Sequence, residues 1–307
     1  MSILVVGSVA FDALQTPFGK VDRCIGGSAT YFSVAASFFT PVELVAVVGD
    51  DFTDEDASVF AGRNINLDGL QRIAGEKTFF WSGEYGYDLN VAKTRDTQLN
   101  VFAGFAPKLN DRQKRADVLF LANIHPELQL DVLRQCERPR LVALDTMNLW
   151  IATKRAELEA VIREVDLVII NEAEVRQFTN EANLVKGCRE ILALGPQTLV
   201  VKRGEYGVLM ITNSAVFAAP AYPLENVFDP TGAGDTFAGG FLGYLASRPE
   251  IQDRELRRAI VFGSVLASFT VEKFSLDRLR EISLRDIYER YQSFRALTHF
   301  EDHEPSS

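Results

Sequence analysis

Short apolar runs recur along the chain and indicate buried strands. Residues 3–9 are almost continuously apolar and rich in β-branched side chains, which is typical of a strand buried on both faces of a parallel sheet. Similar runs lie at 43–48, 118–122, 141–144, 167–170 and 198–201. Each run is short and is followed by polar or glycine-containing residues. The pattern therefore predicts a sheet whose strands are spread over the first two thirds of the chain.

Amphipathic segments lie between these strands. Helices are predicted at 28–39, 54–64, 127–136, 156–163 and 184–194, and the last third of the chain adds 235–246, 253–271 and 284–297. Strands that alternate with helices favour βαβ units with right-handed crossovers. We therefore predict an α/β fold in which a mostly parallel sheet carries helices on both faces.

Residues 77–105 break this alternation. They contain glycine breakers and seven aromatic residues, namely Phe79, Phe80, Trp81, Tyr85, Tyr87, Phe102 and Phe105. This composition predicts antiparallel strands and turns. Together with residues 13–24 they are expected to form a small β lid over the carboxyl ends of the main strands, where ligands bind in open α/β folds. An ordinary edge hairpin packed on the main core is the alternative.

Composition limits the classes of function. The chain of 307 residues is 47% hydrophobic, enough for a large core, and a single domain over 1–307 that includes the lid is the simplest organisation. Its formal net charge of -10, without a basic block, argues against nucleic acid as a partner. Phosphate groups, if bound, must therefore be held by local devices such as helix N-termini. The lid also allows a homodimer through its exposed sheet.

Cysteine usage and the apolar runs bear on location. The three cysteines have no paired spacing, which indicates reduced thiols. The sequence shows no basic leader segment and no apolar run long enough for a membrane span. We therefore expect a cytoplasmic protein without a membrane partner.

The strongest motif is DPTGAGDTF at residues 229–237. A proline and two glycines predict a tight turn that leads into a helix, with Asp235 in the first helical turn. The N–H groups from Gly232 through Ala233 and Gly234 to Asp235 would then lack intrahelical partners and could bind an anion, while Asp235 could act as a base. A plain capped helix start is the alternative for the four residues GAGD alone.

At its full length this string resembles the second signature of the ribokinase/PfkB family of carbohydrate kinases. The resemblance implies that Asp235 is the catalytic base and that Gly232, Ala233 and Gly234 form the anion hole. It also implies a ribokinase-like fold and ATP with Mg²⁺ as reactants. Asp229 and Thr231 are implied contributors to a potassium site, although residues 271–275 depart from the family's usual cation-site segment.

The acceptor end of the site is implied by a second set of positions. Gly26 and Gly27, at the start of a predicted helix, resemble the family's first signature, and Asp12 matches the Asp that binds substrate hydroxyls. A carboxylate accepts hydrogen bonds from adjacent hydroxyls, and a glycine pair lets a polyol lie close to the backbone. Tyr31 stands where the family usually has asparagine. Because Phe11 and Phe18 also lie near Asp12 in the sequence, we expect an aromatic surface that could stack on a nucleobase.

The nucleotide end is implied by three further motifs. Asn171 and Glu174 resemble the family's NxxE motif, with Glu174 near Mg²⁺, either directly or through water. Lys202, Gly204 and Gly207 resemble its K-x-G-x-x-G nucleotide turn, although a hairpin with a glycine bulge would look the same. The positions of Gly263 and Ser264 match small residues of an adenine-contacting helix, which ordinary helix packing would also explain.

These features together predict an ATP-dependent kinase. The acceptor would be the primary hydroxyl of a sugar or a ribonucleoside, and both acceptors stay open. A catalytically silent sugar- or nucleoside-binding regulator on the same fold is the alternative. A dinucleotide-dependent oxidoreductase is disfavoured because residues 6–11 do not supply a GxGxxG motif.

Overall fold

Nine strands form one large sheet in the computed structural model, which describes residues 1–299. Their order across the sheet is β13-β12-β11-β10-β9-β8-β1-β4-β5. The bounds are β1 Ile3–Val6, β4 Val42–Gly49, β5 Ile65–Ile73, β8 Val118–Leu121, β9 Leu141–Asp145, β10 Leu167–Asn171, β11 Thr198–Lys202, β12 Val208–Thr212 and β13 Val216–Ala219. All neighbours are parallel except β11–β12 and β12–β13, which are antiparallel. The predicted α/β fold is confirmed.

Alternate side chains of the central strands enter two separate cores. Val5 and Phe120 face one core, whereas Val6 and Leu121 face the other. Because both faces are covered, these strands need apolar residues at every position, which explains their unbroken hydrophobic runs.

Helices cover both faces of the large sheet. The first face carries α1 Ser28–Ala36, α9 Ala233–Ala246, α10 Asp253–Thr270, α11 Asp277–Glu281 and α12 Leu284–Thr298. The second carries α4 Pro126–Gln135, α5 Asn148–Thr153, α6 Arg155–Ile162, α7 Glu172–Thr179 and α8 Leu184–Leu192. Two short helices, α2 Asp54–Ala57 and α3 Asp111–Lys114, lie in connections. No helix among residues 1–299 combines the length and the apolar character that a bilayer crossing requires.

Four further strands form a separate small sheet, here called the lid sheet. They are β2 Ala10–Thr16, β3 Gly19–Gly26, β6 Phe79–Tyr85 and β7 Ala92–Gln98, in the order β3-β2-β6-β7. Strand β2 pairs antiparallel with β3 and parallel with β6, and β6 pairs antiparallel with β7. A separate small sheet is confirmed, and the alternative of an edge hairpin on the main sheet is wrong.

Two local predictions need correction. The helix expected at 54–64 is only α2 followed by a 3₁₀ turn at Ser58–Phe60, and the chain then turns at Gly62 with φ +70°. The lid does not extend to 105, because Val101 and Phe105 pack into the second core of the main sheet. The single-domain organisation stays a prediction, and its residues 300–307 lie outside the described range.

Candidate active site

The turn before α9 leaves backbone N–H groups free at the start of the helix. Gly232 is the N-cap residue with φ +74°, a left-handed conformation that glycine adopts without strain. Within residues 1–299, the N–H groups of Gly232, Gly234 and Asp235 have no hydrogen-bond partner. The N–H of Ala233 instead donates to the Pro230 carbonyl oxygen over 3.2 Å, so the concavity offers three donors and not the predicted four. With the positive end of the helix dipole, these donors form a site for an anion.

Asp235 lies beside an ion pair at the carboxyl ends of β9 and β11. Lys202 Nζ lies 2.7 Å from Asp145 Oδ2, and the two side chains are only 19% and 4% exposed. Burial, and to a smaller extent the charge of Asp145, raise the pKa of Asp235 to about 7, although Lys202 acts in the opposite direction. A carboxyl group with a pKa near neutrality is suited to accept a proton at physiological pH.

Lys202 reaches the anion-binding turn itself. A Cβ atom placed on Gly234 would lie 3.1 Å from Lys202 Nζ, so the ammonium group packs closely against this glycine. Burial alone would lower the pKa of Lys202, but the carboxylates of Asp145 and Glu174 raise it, and the group stays charged. A fixed positive charge therefore lies next to the free N–H groups, where a phosphoryl group would bind.

Asp12 occupies the other end of the site. It is 4% exposed, and its carboxylate fills the space where a side chain on Gly26 would lie, since a Cβ there would be 1.9 Å from Asp12 Oδ2. Gly27 has φ +96° and is the N-cap of α1, and a Cβ there would lie 2.5 Å from the Ser8 carbonyl oxygen. Glycine suits the two positions for different reasons. Gly26 leaves room for the Asp12 carboxylate, and Gly27 adopts the positive φ at the entry to α1.

The electrostatics of Asp12 connect it with the anion-binding turn. Burial raises the pKa of Asp12 to about 8, and the charges of Asp229 and Asp235 add to this effect. The structure therefore brings together the predicted acceptor-binding carboxylate and the predicted base, which are far apart in the sequence.

The lid sheet presents one face to this site. Asp12 on β2 is the register partner of Trp81 on β6 in a parallel pair, so both side chains project to the same face. Tyr85 lies four residues further along β6 and shares that face. It reaches the anion-binding turn, where Thr231 Oγ1 donates a hydrogen bond to Tyr85 Oη over 3.2 Å.

Trp81 lies flat on its own strand. A Cβ on Gly83 would be 2.1 Å from the Trp81 ring, so the missing side chain at Gly83 makes room for the indole. Trp81 Nε1 donates to Thr94 Oγ1 on β7 over 3.2 Å, which fixes the ring across the sheet. Trp81 is half-buried and projects from the same face of the lid sheet as Asp12.

Asn171 and Glu174 form a reciprocal helix cap at the start of α7. Glu174 N–H donates to Asn171 Oδ1 over 2.8 Å, and Asn171 N–H donates to Glu174 Oε2 over 2.9 Å. Burial raises the pKa of Glu174 to about 7, against the opposing effect of Lys202. One carboxylate oxygen is used in the cap, and the other stays available near Lys202.

The predicted nucleotide turn has the backbone that its glycines allow. Gly204 has φ +54° and Gly207 φ +88°, and Arg203 N–H donates to the Gly207 carbonyl oxygen over 2.9 Å. Arg203 Nε binds Glu172 Oε2 at 2.7 Å and is therefore turned toward α7. Asn90, in the connection between β6 and β7, contacts this turn: a Cβ on Gly204 would lie 1.8 Å from Asn90 Oδ1.

Gly263 and Ser264 do not lie on an open surface. A Cβ on Gly263 would be 2.7 Å from the Phe237 carbonyl oxygen of α9. Ser264 is 7% exposed and donates to the Ile260 carbonyl oxygen within its own helix. These contacts favour the alternative of helix packing, so we do not include the two residues in the nucleotide site.

Comparison with known proteins identifies the family of this chain. The sequence matches the pfkB family carbohydrate kinase over residues 3–281. The chain belongs to this family. It is 30% identical to a cytidine kinase of Thermococcus kodakarensis over 256 residues, which cover 81% of this chain and 90% of that protein. A nucleoside kinase of Methanothermobacter thermautotrophicus is 24% identical over 97% of each chain.

Solved structures agree with the fold. The nucleoside kinase of Methanocaldococcus jannaschii superposes with a TM-score of 0.78 at 21% identity, covering 95% of this chain and 98% of that one. A ribokinase from Thermotoga maritima gives a TM-score of 0.75 at 22% identity over 95% and 99%. The pfkB-family chain therefore has the ribokinase-like fold and is a phosphotransferase with an alcohol acceptor. The alternative of a catalytically silent regulator is not favoured.

The aromatic residues that the sequence placed near the acceptor are mostly covered in this family member. Tyr31 is 1% exposed, and its ring packs so closely on Gly232 that a Cβ there would lie 2.4 Å away. Phe11 is 3% exposed, between Phe52 and the guanidinium of Arg23. Neither ring offers a base a free face. The structure thus argues against stacking on Tyr31 and points to Trp81, which the sequence included only as part of the lid.

Asp229 and Thr231 use their side-chain oxygens within the protein. The Asp229 carboxylate accepts from Thr231 N–H at 2.9 Å and from Ser275 N–H at 3.1 Å, while the Thr231 hydroxyl bonds Tyr85. These contacts tie the anion-binding turn to the segment after α10. They give no support to potassium at these oxygens, so potassium stays a prediction from the sequence and no step is derived through it.

Proposed function

We propose that this kinase transfers the γ-phosphoryl group of ATP to the primary ribose hydroxyl of a nucleoside. The observation that carries the proposal is the pairing of Asp12 with Trp81 on the face of the lid sheet that looks toward Asp235. The names of the cytidine kinase and nucleoside kinase relatives support the same acceptor class.

Asp12 and Trp81 suit the two halves of a nucleoside. Once Asp12 has released its proton, its carboxylate accepts hydrogen bonds from two adjacent ribose hydroxyls, and these bonds gain most where water is excluded, as at this 4% exposed side chain. An aromatic ring that lies flat and is fixed by a hydrogen bond offers a base a stacking surface worth about 1–3 kcal/mol. A free sugar would use Asp12 but would leave the indole without a partner.

The anion-binding turn suits the transferred phosphoryl group. The N–H groups of Gly232, Gly234 and Asp235 and the ammonium of Lys202 converge there. The turn at Gly204 and Gly207 lies at the end of the same strand as Lys202 and is the proposed contact for the rest of ATP. Fixed donors of this kind stabilise the charge that develops on the phosphoryl oxygens.

The carboxylates also fit a magnesium ion bound mostly through water. Residues 1–299 hold no group of three or more His, Cys, Asp or Glu side chains poised to chelate a metal. Mg²⁺ usually takes only one or two carboxylates and completes its shell with water and substrate phosphates. Glu174, with one oxygen outside its cap, is the proposed protein partner. When bound, the ion would neutralise charge on the ATP phosphates.

Asp235 completes the reaction. Its carboxylate takes the proton of the acceptor hydroxyl while the acceptor oxygen forms a bond to the γ-phosphorus and the bond to the β,γ-bridging oxygen breaks. The products are the phosphorylated acceptor and ADP. The pKa of Asp235, raised to about 7, lies near physiological pH, where a general base is both largely deprotonated and basic enough to accept the proton.

A substrate comparison tests the acceptor class. We expect kcat/KM for cytidine, adenosine or inosine to exceed that for ribose and fructose. Trp81→Leu should lower nucleoside kcat/KM about 5- to 160-fold, because the stacking energy of about 1–3 kcal/mol is lost. Its kcat/KM for ribose should change less than about twofold, which makes the free sugar the internal control. Preference for a free sugar in the wild type, or equal losses for both acceptors in Trp81→Leu, would contradict the proposal.

Two wider expectations stay predictions. The homodimer through the lid sheet would be tested by the molar mass of the protein measured by light scattering, with and without substrates. The cytoplasmic location would be tested by cell fractionation.

A further inference from the structure

Tyr85 connects the lid sheet to the anion-binding turn. Its hydroxyl accepts a hydrogen bond from Thr231 Oγ1 at 3.2 Å, across a sequence separation of 146 residues. Thr231 directly precedes Gly232, the first donor of the turn. We propose that Tyr85 is a positioning residue for phosphoryl transfer, which holds the anion-binding turn in its reactive geometry only while the lid sheet covers the site. The proposal depends on the kinase reaction and not on the nucleoside acceptor.

The turn is held from two sides at Thr231. Asp229 accepts a hydrogen bond from the Thr231 N–H at 2.9 Å, and Tyr85 accepts one from its hydroxyl. The first contact lies within the turn, so it persists in any lid position. The second comes from a different sheet and is lost when the lid moves away. Because Gly232 follows with φ +74°, a shift of Thr231 would displace the donors behind it.

The hydroxyl of Tyr85 is also placed for a second hydrogen bond. It accepts from Thr231, and within residues 1–299 its own proton has no acceptor. Burial, and then the charges of Asp229, Asp12 and Asp235, raise the pKa of Tyr85, against the effect of the Thr231 hydrogen bond. The group therefore stays protonated and can donate toward the space between these carboxylates, where acceptor and phosphoryl group meet.

The same hairpin contacts the nucleotide turn. Asn90 Oδ1 accepts from Glu205 N–H, and Asn90 Nδ2 donates to Glu205 Oε1, both at 3.4 Å. The β6–β7 hairpin thus bridges the anion-binding turn through Tyr85 and the proposed ATP turn through Asn90. Contacts at two separate loops distinguish this arrangement from one incidental side-chain contact.

Removal of single hydroxyl groups tests the proposal. We expect Tyr85→Phe to lower kcat about 2- to 10-fold, the range of one lost hydrogen bond, while KM for ATP and for the acceptor stays within about twofold. Thr231→Val should give a similar loss, and Thr231→Ser, which keeps the hydroxyl, should recover most of it. Tyr87→Phe is the matched control, because Tyr87 lies on the same hairpin and is 89% exposed.

The double variant separates positioning from two independent defects. Tyr85→Phe with Thr231→Val should lose little more than either single variant, because both remove the same contact. Hydrogen exchange over 79–98 in the presence of substrates should be faster in Tyr85→Phe than in the wild type. An unchanged kcat in Tyr85→Phe, or losses that multiply in the double variant, would overturn the proposal.

The acceptor should be whichever compound gives the highest kcat/KM, and ADP release without acceptor should be measured in parallel. If a free sugar proves to be the substrate, the nucleoside proposal fails, but the ratio of Tyr85→Phe to wild-type kcat still decides the role of Tyr85. If nucleosides are the substrates and this ratio is one, only the Tyr85 proposal fails.

Discussion

Asp12→Asn should make the protein more stable and less active, and the gain in stability should depend on pH. Burial and the nearby carboxylates raise the pKa of Asp12 from 3.8 to about 8 in the folded protein. The amide that this substitution introduces has nearly the same shape as the carboxyl group but never carries a charge. The variant therefore removes the unfavourable burial of a carboxylate and keeps the packing against Gly26.

The sign and size of the change in the free energy of unfolding follow from the protons that Asp12 binds in the folded and unfolded states. Between about pH 4 and 8 the folded state holds a proton on Asp12 that the unfolded state releases, so this group lowers stability as pH rises, by about 1.4 kcal/mol per unit. At pH 7 the accumulated difference is at most about 4 kcal/mol, and any relaxation of the pocket around the charge makes it smaller. The contribution is constant again above the folded pKa of about 8.

Urea unfolding at pH 5, 6, 7 and 8 measures the effect. The free energy of unfolding of Asp12→Asn minus that of the wild type should increase steadily over this series. Asp22→Asn is the control, since Asp22 belongs to the same lid sheet but its side chain is 83% exposed, so its difference should stay nearly constant. Acceptor kcat/KM should fall at least about tenfold in Asp12→Asn with little change in KM for ATP. A stability difference that does not vary with pH, or a less stable variant at pH 8, would refute the reasoning.

Three further predictions concern the phosphoryl end. kcat/KM should rise with pH through about 7 and about 8, as Asp235 and then Asp12 lose their protons, and level off above about pH 9; a flat profile from pH 6 to 8 would exclude Asp235 as the titrating base. Lys202→Met should lower kcat about 100- to 1000-fold because a fixed charge at the phosphoryl site is lost, and steady-state kinetics showing a change in KM alone would argue against this role. Gly232→Ala should destabilise the fold by about 1–3 kcal/mol and impair turnover, because Gly232 has φ +74° and an added Cβ would meet the ring of Tyr31. Gly86→Ala is the control: an added Cβ there would have no atom within 4 Å, so this variant should melt at the same temperature as the wild type.

The features that the sequence predicts well are local ones. The buried strands are recognisable because each central strand packs on two cores and tolerates few polar residues. The turn from Asp229 to Asp235 is recognisable because its glycines and its helix start lie within one short segment. Strand β5 is not predicted from the sequence. It lies at the edge of the sheet, where polar residues are tolerated and interrupt the apolar pattern.

The parts that the sequence does not predict depend on contacts between distant segments. Asp145 is a single acid at the end of strand β9, and its importance appears only when Lys202 is found 2.7 Å away. Trp81 and Tyr85 share a face of β6 by simple alternation, but their position on the same face as Asp12 comes from the register of β6 with β2, which no local pattern encodes. Tyr31 does lie near Asp12 in the fold, but its ring is buried against Gly232. The sequence predicted the position of this ring and not its burial.

The most direct test of the account is the turnover of Asp235→Asn. The amide keeps the size of the carboxyl group and the start of α9 but cannot take the proton of the acceptor hydroxyl. With the preferred acceptor we predict that kcat falls at least about 100-fold, while the Kd for ATP measured by calorimetry stays within a few fold of the wild type. A variant that binds ATP normally and keeps near wild-type kcat would contradict the central claim that Asp235 is the base.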